Sequence, residues 1–488
     1  MSRWRWTTVL WAGGVTAASV LIGLHGCGND DTVGPGSGPG PDASDGRADG
    51  EADVYRYPDR YDAGSDADAV DAGCVPYTVP ADVPKGWEEY TDWSCNCRFY
   101  VPGSPEVMPP AIEWEPCPEA APQQVDCRHM KPFWAQGTSA VTGVFSEFSD
   151  HPHLGPLLMF TRANFLPEVA SPKGRMTVIA QVDGKALNGF FQRHSLHDGC
   201  HTKIKSLNED VFTFSVIGAK WNVNEQVPYG GIGGKVGERP RVLRRLDDPG
   251  AASLFGSNRW LVEWFNSTMR VMDWDAAAPE TIYPTPDTES NLPAVQVMHL
   301  GDDLFFEVNA GGQTGVFSWD ATHGTRPLLR WHDDPDRGAG GLGTDGVSLV
   351  WGEGRTHLPP TGGYAFEQVD IMTAPYTTDP AELAVTARRL RSSQNSNVGL
   401  RGEEFRVGCG LAARATAAPC QLSVVRIDDG AAWFVPCAEP QQAWAWARVL
   451  GVTCEEVFVA VSERPNGNGT PNIARVRLDS LGEPVPAD

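Results

Sequence analysis

Histidine clustering is the feature of this sequence best suited to chemistry. Five of the eleven histidines fall in two short stretches, His151-Pro152-His153 and His194-Ser195-Leu196-His197-Asp198-Gly199-Cys200-His201. Neutral imidazole is a preferred ligand of transition metals, above all where thiols are tied up in disulfides. His153, His194, His197 and His201 are therefore the candidate ligands of a zinc- or copper-type ion. That ion is the one cofactor the sequence suggests, and nothing in the sequence requires it. Convergence demands that both stretches lie in neighbouring loops on one face. Otherwise they are polar loop histidines beside a disulfide.

Other chemistry-bearing patterns favour structural roles. Asp247-Asp248 and Asp333-Asp334 would supply paired carboxylates for hydrolysis, but each pair recurs inside a longer repeat, as turn residues do. Gly230-Gly231-Ile232-Gly233-Gly234 has the glycine density of a phosphate cradle without the Gly-Lys-Ser/Thr ending, so tight strand connections account for it better. No serine sits in a Gly-x-Ser-x-Gly elbow. The seventeen tryptophans could stack on sugars, yet their spacing suits a core.

The elements that position these residues begin with an export signal. Arg3 and Arg5 precede an apolar run of sixteen residues, Val9 to Leu24, shorter than the roughly 20 residues a spanning helix needs. Leu24-His25-Gly26-Cys27 follows and resembles the lipobox of bacterial lipoproteins, with His25 departing from the small residue usual there. The resemblance implies a cleaved signal peptide over 1–26 and a lipidated Cys27, with the lipid membrane as partner. Two or more acyl chains are what stable anchoring requires. Gly28 in place of Asp after the cysteine points, by the sorting rule of that family, to the outer membrane of a bacterium. Cysteine parity agrees: eleven cysteines leave ten once Cys27 is set aside, enough for five disulfides in an oxidising compartment.

Residues 27–73 form a lipidated tether. The 46 residues from Gly28 to Gly73 are dominated by Gly, Asp, Ala and Pro, a composition that cannot bury enough apolar surface to fold. As a flexible coil the tether spans on the order of 35 to 40 Å. Its acidic run from Asp62 to Asp71 lacks the closing Glu of a calcium loop. The chain carries −23 overall, and setting aside −9 on the tether and +2 on the leader leaves −16 on residues 74 to 488. An acidic folded region has no electrostatic footprint for nucleic acid.

The folded region repeats. Arg239-Pro240 through Asp247-Asp248-Pro249 recurs as Arg326-Pro327 through Asp333-Asp334-Pro335, offset by 87 residues in its first half, or two periods of 43 to 44. Strands ending in Asp recur at Val178 to Asp183, Arg270 to Asp275, Val316 to Asp320, Val424 to Asp428 and Ala474 to Asp479. Polar turns between apolar strands recur near Asn208, Ser257, Asp302, Asp345, Glu403 and Glu455. Trp274-Asp275 and Trp319-Asp320, 45 residues apart, look like the strand endings of WD40 blades, so the chain resembles a WD40-like or TolB-like β-propeller. The resemblance implies an all-β fold: a single β-propeller over residues 130–488, of seven blades within a range of six to eight. The polar turns would join strands A and B of each blade and the Asp endings would close strand C. A strand near Phe133 to Phe148 would complete the last blade. A β-sandwich array is the structural alternative.

Residues 74–129 read as an irregular disulfide-rich cap. Cys74, Cys95, Cys97, Cys117 and Cys127 lie there with Cys200 as sixth member, and fifteen pairings are open. Cys409 with Cys420 and Cys437 with Cys454 are the favoured local pairings among three. No cysteine group has zinc-finger or redox Cys-x-x-Cys spacing.

Three functions fit these features. The first is an exported, membrane-anchored lipoprotein whose propeller binds a protein or glycan, which makes it more a binding module than an enzyme. The second is a metal-dependent hydrolase or polysaccharide lyase using the His-rich face. The third is a structural envelope protein.

Overall fold

The computed structural model describes residues 83–94, 97–118, 125–131, 141–163, 174–193, 200–218, 229–246, 253–256, 259–265, 268–273, 280–283, 294–300, 303–310, 313–329, 337–357, 365–393, 404–417, 420–437, 444–463 and 470–487. The leader, Cys27 and the tether lie outside them. Four strands come before the ring: β1 (Trp87–Ser94), β2 (Cys97–Pro102), β3 (Trp114–Pro116) and β4 (Cys127–Met130). Blade 1 is β5 (Val141–His151), β6 (Gly155–Ala163), β7 (Gly174–Gln181) and β8 (Ala186–Arg193). Blade 2 is β9 (Cys200–Asn208), β10 (Val211–Gly218), β11 (Tyr229–Lys235) and β12 (Arg241–Leu246). Blade 3 is β13 (Ser253–Gly256), β14 (Trp260–Phe265), β15 (Thr268–Asp273) and β16 (Glu280–Tyr283). Blade 4 is β17 (Ala294–Leu300), β18 (Asp303–Ala310), β19 (Gln313–Asp320) and β20 (Gly324–Leu329). Blade 5 is β21 (Arg337–Thr344), β22 (Ser348–His357), β23 (Ala365–Pro375) and β24 (Arg388–Ser393), with α1 (Pro380–Thr386) before its last strand. Blade 6 is β25 (Arg406–Gly408), β26 (Leu411–Ala417), β27 (Cys420–Arg426) and β28 (Ala432–Pro436). Blade 7 opens with β29 (Trp444–Val452), β30 (Glu456–Glu463) and β31 (Thr470–Arg477).

Each blade is an antiparallel meander, and the fold is an all-β, seven-bladed propeller. The first strand of each blade faces the axis, and contacts between blades run in sequence from 1 to 7 and back to 1. Because a blade is covered on both faces by its neighbours, its middle strands carry long apolar runs, as in Leu422, Val424 and Val425 of β27 and Val457 to Val461 of β30, all buried. The inter-blade core is aromatic at its largest points, with Trp319, Trp351, Trp444, Trp446, Phe160 and Phe212 fully enclosed.

The recurring Asp residues shape turns. Asp320 Oδ1 accepts from Thr322 N at 2.9 Å and His323 N at 2.8 Å, and Asp345 Oδ1 accepts from Val347 N at 3.0 Å and Ser348 N at 2.9 Å. These are side-chain-built turns, which Asp forms because its short carboxylate reaches its own backbone two or three residues on. All five Asp-ended strands mark the third strand of a blade or its exit. Five of the six polar turns join first and second strands. The one near Glu403 does not: it precedes β25, and the first turn of blade 6 runs through Cys409-Gly410.

Closure differs from the sequence expectation. The last blade is completed by β4, which pairs antiparallel to β31 with Ala474 opposite His129 and Val476 opposite Cys127. The segment expected to close the ring overlaps β5, the first strand of blade 1. The region expected to be an irregular cap supplies four strands. β3 adds a fifth strand to blade 7, and the β1–β2 hairpin extends blade 1 through Phe99 opposite Gln192. The glycines from Gly230 to Gly234 lie inside β11 and not in a connection. A Cβ at Gly233 would overlap the Phe212 carbonyl of the neighbouring strand, so close strand approach explains that glycine.

The disulfide pairing is also corrected. Cys409 joins Cys454, and Cys420 joins Cys437. Cys409 and Cys420 flank β26, whose seven residues span about 24 Å, far beyond the 7 Å or so of Cα separation a disulfide tolerates. Cys437 and Cys454 are likewise separated by β29. Cys409 and Cys454 instead occupy the first turns of adjacent blades, and Cys420 and Cys437 face each other across β27 and β28. Cys117, just after β3, pairs with Cys127 of β4 in the same manner. Cys74 and Cys95 lie outside the described residues; Cys97 lies on β2 and Cys200 on β9.

Phe148 of β5 stacks on Phe458 of blade 7, with ring centroids 5.1 Å apart, and fills the space left by Gly451. Gly451→Ala is expected to destabilise the protein by about 1 to 3 kcal/mol through overpacking, and by less than half as much in a Phe148→Ala background. Chemical denaturation of the four variants measures the coupling.

Candidate functional site

Ionisable side chains meet where the first strands of blades 6, 7 and 1 line the axis. Glu147 sits midway along β5, Arg448 midway along β29, and Arg406 begins β25 just after Glu404. Arg448 Nη2 donates to Glu147 Oε1 at 3.0 Å. Arg406 Nη2 lies 2.7 Å from Glu404 Oε2 and 3.8 Å from Glu147 Oε2. Glu147 therefore pairs with cations from two other blades. These side chains are 22 to 31% exposed. Burial works against the charge on Arg448, but Glu147 and Glu404 outweigh it and hold the guanidinium above its ordinary pKa.

A fifth group joins from the other side. Glu307, on β18, is buried, and its Oε1 accepts from Leu342 N of β21 at 3.0 Å. Gly341, with φ +69°, sits where the β21–β22 register shifts between Gly340 and Gly343. The irregular, glycine-rich strand thus turns the Gly341 and Leu342 amides towards the carboxylate. Its position is held from behind, because Phe405 N donates to Gly341 O at 3.0 Å. Burial pushes the Glu307 carboxyl up to about 7; Glu404 adds to the rise, and the Leu342 and Gly341 amides oppose it. The cluster holds three carboxyl groups and two guanidinium groups, largely neutralised by one another, with one carboxyl poised to titrate near neutrality.

Of the four proposed histidine ligands, the described residues include His153 and His201, and these two lie apart. His151 ends β5 and His153 lies in the turn to β6, which opens on the opposite face from the connection between β8 and β9. His201 is the second residue of β9, on the order of 20 Å along the strand direction from the rim that carries His153. The error follows from missing β5, which moves His151 and His153 from the start of a first strand to its end. His151 Nδ1 accepts from the His153 and Leu154 amides, both at 3.0 Å, so it builds the turn. His194 and His197 lie outside the described residues, as do Asp247-Asp248 and Asp333-Asp334. Among the described residues no three His, Cys, Asp or Glu side chains group closely enough to hold a metal ion.

Sequence reading missed the axial cluster, although a signal was present. Arg448 interrupts the apolar run Trp444-Ala445-Trp446-Ala447 and Val449-Leu450, and Glu307 follows Leu304-Phe305-Phe306. A charge inside a buried strand must find a partner; which partner depends on the order of blades around the ring.

No family model matches this sequence, and no curated protein matches it. Solved propeller structures align with it. The β-propeller domain of the trilobed protease from Pyrococcus furiosus is 9% identical, with 71% of this chain and 100% of that one covered and a TM-score of 0.40. The Pan2 WD40 domain from Neurospora crassa is 10% identical over 72% of this chain and 91% of that one, with a TM-score of 0.39. Oligopeptidase B from Trypanosoma brucei is 11% identical over 78% of this chain, with a TM-score of 0.39; this chain spans 53% of that enzyme's length. These are likenesses of fold and carry nothing about activity.

Glu307 sets a pH dependence. Its native pKa of about 7 lies above the ordinary 4.5, so the native state keeps a proton that the unfolded chain loses between those values. Stability is fullest below this window and falls through it as pH rises, by on the order of 3 kcal/mol. Urea denaturation between about pH 5 and 8 should show this decline in the native protein and its loss in Glu307→Gln.

Proposed function

We propose that this chain is an exported lipoprotein, anchored to a bacterial membrane through acylated Cys27, whose propeller is a binding module for a protein or glycan partner. The observation that carries the binding reading is the axial cluster. Within it Glu147, Glu404, Arg406 and Arg448 form ion pairs across blades 1, 6 and 7, so they brace a ring whose faces are built of turns. A rigid scaffold presenting turns suits recognition, since binding sites concentrate on loops held by a fixed framework. Support for export comes from Cys117, Cys127, Cys409, Cys420, Cys437 and Cys454, all disulfide-bonded, as expected on the oxidising side of a membrane. The lipobox-like Leu24 to Cys27 and the acidic tether supply the anchor. The outer membrane is the proposed location.

Metabolic labelling with a fatty-acid analogue tests the anchor: the chain should carry label, and Cys27→Ala should carry none and leave the membrane fraction. Label retained on Cys27→Ala would contradict it. For the module, the full lipoprotein in detergent is applied to defined glycan and peptide arrays. Saturable binding with the bound molecule chemically unchanged is the expected result; turnover of the bound molecule would contradict the reading.

A further inference from the structure

The outer edge of blade 6 is occupied by the chain itself. Segment 482–487 runs beside β28, where Val485 N donates to Ala432 O at 2.8 Å and Ala432 N to Val485 O at 2.9 Å. Trp433 Nε1 donates to Gly482 O at 2.9 Å. From blade 5, Arg391 of β24 reaches over the segment. Its Nη1 donates to Val485 O at 3.2 Å and Pro486 O at 2.9 Å, and to Gly430 O at 3.3 Å. Its guanidinium lies 5.1 Å from the centre of the Phe434 ring.

Three features of this seat go beyond a segment packed against a sheet edge. The bonds that hold the segment are made to its main chain, while the side chains of Glu483, Val485, Pro486 and Ala487 are exposed. Such a seat takes an extended backbone with little regard to sequence, as strand addition to a sheet edge does. Phe434 and Val485, at 38% and 48% exposure, are two of the four large apolar side chains exposed among the described residues, and both lie here. Arg391 is itself buried at 8% exposure, and among the described residues its hydrogen bonds go to carbonyls and no carboxylate forms an ion pair with it. A buried guanidinium bonds a carboxylate about twice as strongly as a neutral acceptor. Arg388 and Arg389 precede it on β24, a local basic strand in a chain of net charge −23.

We propose that the groove between β24 and β28 is a docking site for an extended acidic peptide from a partner protein, and that segment 482–487 holds it closed. The incoming peptide displaces the segment, pairs with Ala432, and places a carboxylate on Arg391. The inference goes beyond the binding reading above and depends on neither the anchor nor the axial cluster. The tethered segment competes at an effective concentration of order millimolar, so the native chain is largely self-blocked.

Val485→Pro in the full chain removes the donor to Ala432 and releases the segment; a chain ending at Leu481 is the second form. The probes are a fluorescein-labelled peptide copying residues 481–488 and the same peptide with Pro486→Glu. By fluorescence anisotropy, both released forms should bind the copy peptide at least about tenfold more tightly than the native chain. The Glu peptide should bind more tightly again, and Arg391→Ala in the released chain should weaken its binding by about tenfold or more. Thermal unfolding checks that each variant is folded. Folded released chains that bind neither peptide, binding unchanged by Arg391→Ala, or no preference for the Glu peptide would each overturn the proposal.

Discussion

Ring closure is the constraint on which the rest of this protein depends. Seven blades of four strands need a last strand that the final blade does not contain, since blade 7 supplies only β29, β30 and β31. Without a fourth strand, the outer edge of β31 would expose unpaired backbone groups in the position most prone to mispairing. The chain solves this by lending β4 from before blade 1, so the last blade is hydrogen-bonded to a strand that precedes the first. Other contacts gather at the same seam. Trp114 of β3 donates through Nε1 to Val182 O of blade 1 at 2.9 Å. Arg475 of β31 lies 4.7 Å over that tryptophan and 2.7 Å from Asp183. Phe148 and Glu147, adjacent on β5, meet Phe458 and Arg448 of blade 7.

The chemistry at the axis follows from that geometry. A Glu147–Arg448 pair across the seam makes closure directional, because a slipped register would leave both charges part-buried without partners, an arrangement that costs several kcal/mol. Glu307 performs a related task between blades 4 and 5, where its carboxyl takes up amides that the irregular β21 leaves pointing inward. Cys409 and Cys454 tie the neighbouring turns of blades 6 and 7 covalently. The same region is therefore fixed by backbone pairing, aromatic stacking, charge and disulfide.

The fold was legible in the sequence to the extent that local chemistry repeats. Asp320 and Asp345 build their own turns, so Asp-ended strands and polar turns each recur in five of the seven blades whatever surrounds them. The Trp-Asp and Arg-Pro spacings carried the blade period for the same reason. What failed was non-local. β5 hides because its sequence, Val141 to His151, mixes glycine, serine and acids with few large apolar residues; once it is missed, His153 is assigned to the wrong face. Disulfide partners chosen by nearness in sequence were separated by whole strands, while the true partners lie on adjacent turns or facing strands. The axial cluster draws on Glu147 and Arg448, some 301 positions apart, which no local pattern connects.

Amide hydrogen exchange at β4 tests the closed ring most directly. Peptides covering 126–131 should be protected to the level of β30 and β31, because their amides belong to the last blade's sheet. Rapid exchange of 126–131 in a protein whose β30 and β31 remain protected would contradict closure by this strand and the account built on it.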